Sequence, residues 1–376
     1  MSVAHEGARR FRLTHVFPSF DIGGVQTRFA EIVNRLPPGF EHRVLALDGN
    51  LAARERVGAH VDLVFEATPE TARGLPARLG AYRRWLRNRQ PDLLLTYNWG
   101  SIEFSLANLT LGIPHIHGED GFGPAESEKQ LPRRVWTRRL ALRRSLVVVP
   151  SLVLQDLARR TWWVPDARLH LLRNGIDLQR YRPGGRHEAR QALGLADDMF
   201  VVGWTGALRP EKNVPRLLRA VADLPSSTRV VLVGDGGERS RLEQTARDCG
   251  LAGRALFLGM RSDVAALLPA FDVLALSSDT EQMPVVVIEA MAAGLPIASV
   301  DVGDVKNMVG ESNRAFITDR SEQALAGALL KLAHDPAARE SLGRENRALA
   351  AERYDMQRMV ESYRALYERT AQPASA

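Results

Sequence analysis

The sequence predicts two doubly wound α/β domains in tandem. Three observations point there: short apolar runs alternate with helical patterns, the alternation restarts after a Gly-, Pro- and Asn-rich stretch at 174–185, and 376 residues exceed one ordinary core. In the first half the runs are RLTHVF (12–17), RVLAL (43–47), DLLLTYN (92–98), PHIH (114–117) and SLVVV (145–149). They read as buried strands of a parallel sheet covered on both faces. After NGIDLQRYRPGG come FVVGW (200–204), RVVLV (229–233), ALFLG (255–259), DVLAL (272–276) and PIASV (296–300), which repeat the pattern. Ligands are expected where loops leave the carboxyl ends of such strands, with the cleft between the domains as the default active site. The division expected is 1–173, 174–355 and a closing helix in 356–376. There Met359, Tyr363, Leu366 and Tyr367 fall at helical spacing and seek a partner surface, expected to be the first domain.

Composition narrows the function classes. With 45% hydrophobic and 25% charged residues the chain reads as an ordinary soluble protein. Its start, MSVAHEGARRFRLTHVF, has no apolar targeting core, and the run SLVVVPSLVL (145–154) is too short to span a bilayer, so a cytoplasmic location is expected. The single Cys249 excludes a disulfide framework and a multi-cysteine metal site. A net charge of +6 is spread along the chain and is nearly all arginine, with Lys129, Lys212, Lys306 and Lys331 the exceptions, which argues against nucleic acid as a partner.

The chemistry concentrates in TEQMPVVVIE (280–289), where Glu281 and Glu289 bracket an apolar run. The spacing predicts a helix over 284–293 that begins at Pro284 and stops before Gly294. Its N-terminus offers free N–H groups and partial positive charge, a seat for phosphate. Carboxylates beside that seat repel phosphate and accept hydrogen bonds from hydroxyls instead. A sugar nucleotide presents both, a diphosphate flanked by polyols. GALRPEKN (206–213) sets Arg209 and Lys212 after a strand, where they can clamp a diphosphate, although plain surface charges read the same way. GDGG (234–237) is a weak phosphate-loop signal and more often a tight turn. Gly23 and Gly24 in DIGGVQTRF (21–29) would let backbone approach a ligand, or simply make a turn.

Together these residues resemble the GT-B fold glycosyltransferases of family 4, the group 1 glycosyl transferases, over about residues 12–370. The resemblance lies in the Gly-Gly loop after the first strand, the linker from Asn174 to Pro183, and the two glutamates seven residues apart. It implies two Rossmann-like domains facing a cleft, the first binding acceptor and the second binding a nucleotide sugar, and same-face, retaining transfer without a cofactor. By resemblance Glu281 contacts the donor sugar, Glu289 the ribose, and N–H groups near Met283 and Pro284 the diphosphate, with Gly23, Gly24 and Gly206 lining the donor. His117 matches a histidine placed near the donor sugar, and HGEDG looks like the form in transferases of bacterial polysaccharide clusters. Glu119, Asp120 and Asn174 are the acceptor or supporting candidates. Three positions depart from the family: Ala207 replaces an arginine, Gln282 a glycine and Asn307 a glutamate.

The donor expected is a nucleotide sugar such as a UDP- or GDP-sugar, and the acceptor a saccharide or lipid-linked sugar of cell-surface polysaccharide or glycolipid synthesis. PHIHGEDGFG (114–123) gathers His115, His117, Glu119 and Asp120, but no complete ligand set or Asp-x-Asp motif follows, so no metal is expected. A nucleotide-sugar epimerase of the same fold, or a catalytically silent partner subunit, is the alternative. A dinucleotide oxidoreductase is disfavoured, because no G-x-G-x-x-G follows the first strand. Finally, KQLPRRVWTRRLALRR (129–144) carries seven basic residues and no acidic one. As a helix it would pack Leu131, Val135, Leu142 and Leu146 inward and present Arg133, Arg134, Arg143 and Arg144 with Trp136 and Leu140. That face suits an anionic membrane surface, or is merely solvated.

Overall fold

A computed structural model describes residues 10–122, 126 and 130–371. They divide into a first unit, residues 1–173 with 357–376, and a second, residues 174–356. The first holds β1 (Phe11–Phe17), β2 (Phe40–Ala46), β3 (Leu63–Glu66), β4 (Leu93–Tyr97), β5 (His115–Gly118), β6 (Leu146–Val149) and β7 (Leu169–Leu171). The second holds β8 (Val201–Thr205), β9 (Arg229–Val233), β10 (Ala255–Gly259), β11 (Val273–Leu276), β12 (Ile297–Val300) and β13 (Ile317–Thr318). Spatial order is β3-β2-β1-β4-β5-β6-β7 in one sheet and β10-β9-β8-β11-β12-β13 in the other, and the strand pairings are parallel.

The central strands are covered on both faces, so their side chains are apolar without alternation; Val201, Val202, Val230, Val231, Val273 and Leu274 are fully enclosed. Three strands escape sequence reading. β3, β7 and β13 have four, three and two residues and pair on one side only, too short for a periodic signal. In the second unit close backbone approach explains two glycines of GDGG. A Cβ on Gly234 would stand 1.8 Å from the Gly206 carbonyl oxygen and one on Gly236 2.5 Å from that of Leu208. The loop is therefore built to pack against 206–208, and the Leu208 N–H donates to the Asp235 carbonyl at 2.9 Å.

The helix Met356–Ala371 joins the first unit. It buries Met359, Val360, Tyr363, Leu366 and Tyr367, and Tyr367 lies edge-on to His15 of β1.

One buried ion pair ties the second unit together. Arg190, fully enclosed, donates to Asp272 Oδ2 at 2.7 Å and to the carbonyls of Ala196, Asp197, Met199 and Ala270. Asp272 also accepts from the Val201 N–H at 2.7 Å, which locks the start of β8. Asp272→Ala leaves a buried guanidinium without counter-charge and is expected to lower unfolding free energy by about 3–5 kcal/mol, measured from urea denaturation midpoints. A loss no larger than a surface substitution gives, about 0.5 kcal/mol, would show that the carbonyls alone satisfy the arginine.

Candidate functional site

In the second unit the loop after β11 carries Ser278 to Pro284. Glu281 Oε1 accepts from Lys212 Nζ at 2.6 Å and from the Ser278 hydroxyl at 2.8 Å. The loop is held from beneath by 301–304. Gly303, at φ +55, lies so close that a Cβ would stand 2.6 Å from the Glu281 carbonyl oxygen, and the Asp304 N–H donates to Gln282 O at 2.9 Å. The amide of Asn307, at one of the departures, donates to Asp304 Oδ1 at 2.9 Å. Met283 is buried, and Asn174 Nδ2 reaches its carbonyl at 3.5 Å. Gln282 Oε1 is buried with no hydrogen-bond partner among the described residues.

The helix that follows is Val285–Ala292, with Pro284 in extended conformation at its N-cap. It thus starts one residue later than its proline suggests, since the ring fits the capping position as well as the first turn. No side chain among the described residues caps its N–H groups. One and a half turns in, Glu289 Oε1 accepts from the Tyr181 hydroxyl at 2.8 Å. Burial raises the Glu289 carboxyl above its ordinary pKa, against the opposing pull of that hydroxyl and of Arg180. Tyr181 belongs to the linker motif, and sequence reasoning passed over it as a site residue; an aromatic hydroxyl at a position read only as linker was the available signal.

The structure brings Lys212, Ser278 and Glu281 together, and sets Asn174 against Met283. Arg209 is not among them. Its exposed side chain lines a cleft of about 160 Å³ with Asn213, Glu238, Arg241 and Asp279. Gly206, at φ +154, lies over the Trp204 ring.

In the first unit Gly23 and Gly24 lead from β1 into the helix Gly24–Val33, and a Cβ on Gly24 would meet nothing within 4 Å. Arg28 of that helix pairs with Asp120, donating to Oδ2 at 2.7 Å, and lies over the Tyr363 ring. Asn98, at the carboxyl end of β4, is held at φ 55 and ψ 179, a conformation that costs a non-glycine residue energy. Its Oδ1 accepts from the Asp120 N–H at 2.8 Å and its own N–H donates to Gly118 O at 2.8 Å. Nothing in the sequence marks Asn98.

His115 and His117 of β5 are both buried and both bond Thr96 Oγ1, at 2.9 and 2.8 Å. Desolvation, with His117 nearby, pushes the His115 imidazole down to about 3, so it is neutral. Glu119 is wholly enclosed, with Oε2 3.7 Å from His117 Nε2 and 3.3 Å from Arg138 Nε. Among the described residues no group of three or more His, Cys, Asp or Glu side chains is disposed to hold a metal.

The basic stretch departs from expectation. Its helix is Pro132–Ala141, and Leu146 lies in β6. Arg134 and Arg138 turn toward Glu126 rather than outward, drawn by a carboxylate that sequence spacing does not reveal. Arg133, Arg143 and Arg144 are exposed, as are Trp136 (61%), Leu140 (50%) and Trp163 (60%). Arg139 stacks on both tryptophans, 3.4 Å from the Trp163 centroid and 4.6 Å from that of Trp136. Lys129 and Gly123 fall outside the described residues.

A model for Glycosyl transferases group 1 matches residues 185–349, and one for Glycosyltransferase Family 4 matches residues 22–180. The chain is 38% identical over 143 residues to D-inositol 3-phosphate glycosyltransferase of Mycobacterium marinum, covering 36% of this chain and 31% of that enzyme. The chain thus matches about a third of that relative's length. A GDP-mannose-dependent alpha-mannosyltransferase of Mycobacterium tuberculosis is 28% identical over 372 residues, 91% of each chain. Anabaena HepE, solved in complex with UDP, superposes with a TM-score of 0.80 at 22% identity, covering 96% of this chain and 100% of that one, a likeness of fold. The chain has the GT-B fold and belongs to the group 1 and family 4 glycosyltransferases.

Proposed function

We propose that the chain is a retaining glycosyltransferase that moves a hexosyl group from a nucleotide-diphosphate sugar to a saccharide or lipid-linked acceptor, without a metal. The observation that carries this reading is the pair of carboxylates around one uncapped helix start, each held by a different partner: Glu281 by Lys212 and Ser278, Glu289 by Tyr181. The helix N–H groups near Met283 and Pro284 seat the diphosphate. Lys212 then shares its charge between Glu281 and the phosphate oxygens, offsetting the negative charge that builds as the leaving group departs. Glu281, relieved of part of that ion pair, accepts from sugar hydroxyls. Glu289 accepts from the ribose, and Gln282 Oε1 is an acceptor in the same loop. As the bond from the anomeric carbon to phosphate oxygen breaks, the acceptor oxygen bonds on the same face and the leaving phosphate oxygen takes its proton. Arg209 serves the diphosphate only by turning from its cleft.

The relatives' names support a GDP- or UDP-sugar as donor. Release of UDP or GDP from a panel of nucleotide sugars, with and without saccharide acceptors, tests the reaction. Conversion of the sugar with no acceptor present would identify an epimerase instead.

We also propose that the first unit meets an anionic membrane surface through Trp136, Leu140 and Trp163, flanked by Arg133, Arg143 and Arg144. No helix of the described residues is long and apolar enough to cross a membrane. Exposed tryptophans beside arginines instead suit the headgroup level.

Glu289→Ala is expected to weaken nucleotide binding by about 1–3 kcal/mol, while Glu281→Ala mainly lowers turnover. The ionised Glu289 carboxylate is the acceptor, and burial raises its pKa. Affinity in the wild type should therefore fall on acidification at a higher pH than an ordinary glutamate would give, and Glu289→Gln should flatten that dependence. Calorimetric titration with UDP and GDP from pH 7 to 4 checks both, and equal affinities in the wild type and Glu289→Ala would defeat the ribose assignment.

Vesicle sedimentation checks the membrane surface. Binding to anionic liposomes should weaken with salt and drop when Trp136 and Trp163 become Ser, with each arginine contributing about 1 kcal/mol. No sedimentation at low salt removes the claim.

A further inference from the structure

Beneath the carboxyl end of β5 lies a cluster of charge whose cost demands a reason. Glu119 and Arg138 are fully enclosed, and Glu126 nearly so. The Arg138 guanidinium sits among the rings of Trp99, Phe122 and Trp162, each centroid 5.0–5.3 Å away. It donates from Nε to Glu119 at 3.3 Å and from its two terminal nitrogens to Glu126 at 3.2 Å. Glu126 is also bound by Arg134 at 2.9 Å and by the Leu131 N–H. Two carboxylates and two guanidiniums thus balance. Yet His117 Nε2 and Glu119 Oε1 are buried with no hydrogen-bond partner among the described residues, and 3.7 Å separates His117 Nε2 from Glu119 Oε2. A purely structural network would close that gap, because unsatisfied buried polar atoms are costly.

The hydrogen bonds around Thr96 link the two imidazoles, so placing the proton of one places that of the other. Thr96 has one O–H to donate and two lone pairs. Its oxygen meets His117 Nδ1 at 2.8 Å, His115 Nε2 at 2.9 Å and Ser105 Oγ at 3.1 Å. Ser145 Oγ lies 2.7 Å from His115 Nδ1. With one proton on each imidazole, the assignment that faces Glu119 with a donor has Ser145 donating to His115 Nδ1, His115 Nε2–H and Ser105 donating to Thr96, and Thr96 donating to His117 Nδ1; the reverse chain would set an Nε2 lone pair against the carboxylate. The proton of His117 is then on Nε2, directed at the carboxylate.

We propose that Glu119, clamped by Arg138, is the positioning carboxylate of His117: it favours the Nε2–H tautomer across a gap too wide for a direct hydrogen bond, so that Nε2–H and the unpartnered Glu119 Oε1 face one hydroxyl, the first donating to it and the second accepting from it. This rests on the transferase reading, in which His117 serves the reacting sugar, and it assigns the HGE part of HGEDG a division of labour: the histidine donates, the glutamate orients. Arg138 and Glu126 act on the histidine only through Glu119. The charged and titratable groups that face His117 are His115 from its own strand, Glu119 from the loop beyond, and Arg138 from the helix Pro132–Ala141, with Glu126 and Arg134 behind them.

Imidazole ¹⁵N spectra, with the His117 signals assigned by difference from His117→Asn, test the pairing whether or not the chain transfers sugar. The wild type should show the neutral Nε2–H form at pH 7. Glu119→Gln, which keeps the shape, should lose that tautomer preference and lower kcat about 10–100-fold, the range for outer partners of functional imidazoles, with KM for the donor unchanged. Glu119→Asp, which keeps the charge, should recover activity above the Gln variant. Identical tautomer populations in wild type and Glu119→Gln would overturn the pairing. Altered spectra with unchanged kcat would make the pair structural and overturn its positioning role, whereas absence of all transfer in wild type would strike the transferase reading and leave the pairing to the spectra.

Discussion

Parallel pairing is the constraint from which the rest follows. A strand that pairs parallel with its neighbour must return through a crossover, so the turns that leave the carboxyl ends of all strands collect along one edge of the sheet. In both units the order runs outward in two directions from a central pair, β1 beside β4 and β8 beside β11. At such a switch the loops diverge and a crevice opens. The residues singled out for chemistry sit there or next to it: Gly23 and Gly24 after β1, Asn98 after β4, His117 to Asp120 at β5, Gly206 to Lys212 after β8, and Ser278 to Pro284 after β11. Topology brings together what the chain holds more than 60 residues apart, as in the Lys212 to Glu281 contact.

Charge placed at such crevices is poorly hydrated, and each carboxylate there has its own answer. Glu281 has a lysine and a serine, Asp120 an arginine, Glu119 an arginine inside an aromatic cage. Glu289 differs in kind. A neutral hydroxyl is its hydrogen-bond partner, so desolvation prevails and its carboxyl rises. Two glutamates of one motif thus have different electrostatics, the first pinned by a full positive charge, the second more easily protonated. On the transferase reading, that difference suits the first to a site where charge is redistributed during a reaction and the second to a site that recognises hydroxyls.

What was legible in the sequence was local. Ten strands announced themselves as apolar runs, and the 280–289 motif showed its helix, its loop and its two carboxylates because all three lie within one short segment. What was not legible depended on partners distant in the chain. Tyr181 reads as linker until Glu289, 108 residues on, receives its hydroxyl. Arg138 reads as one more cation in a basic run until Glu119 and Glu126 draw it inward. Asn98 gives no signal, because its strain comes from the peptide groups of Gly118 and Asp120 that it must meet. The edge strands β3, β7 and β13 are fixed by a neighbour rather than by their own pattern. Even Gly234 and Gly236 of GDGG, which suggest a ligand loop by type, answer to the backbone of 206–208 instead.

The closing helix shows the same dependence at the scale of the unit. Tyr97 stacks on Phe17 at 4.1 Å and its hydroxyl bonds His15 Nδ1 at 2.9 Å, while His15 Nε2 lies 3.0 Å from His42 Nδ1. Burial drives both histidines toward the neutral form, His42 to about 4, so this chain of polar atoms is stable only while water is kept out. Tyr363 and Tyr367, from residues that follow the whole second unit, provide that cover, with Tyr363 also lying against Arg28. Arg28 in turn holds Asp120, next to the Glu119 that faces His117. The first unit therefore completes its core, and braces its own candidate site, only with the last turns of the chain. An excised 1–173 segment would carry every strand of that sheet and still expose the layer on which Arg28, Tyr97 and the Asp120 loop depend.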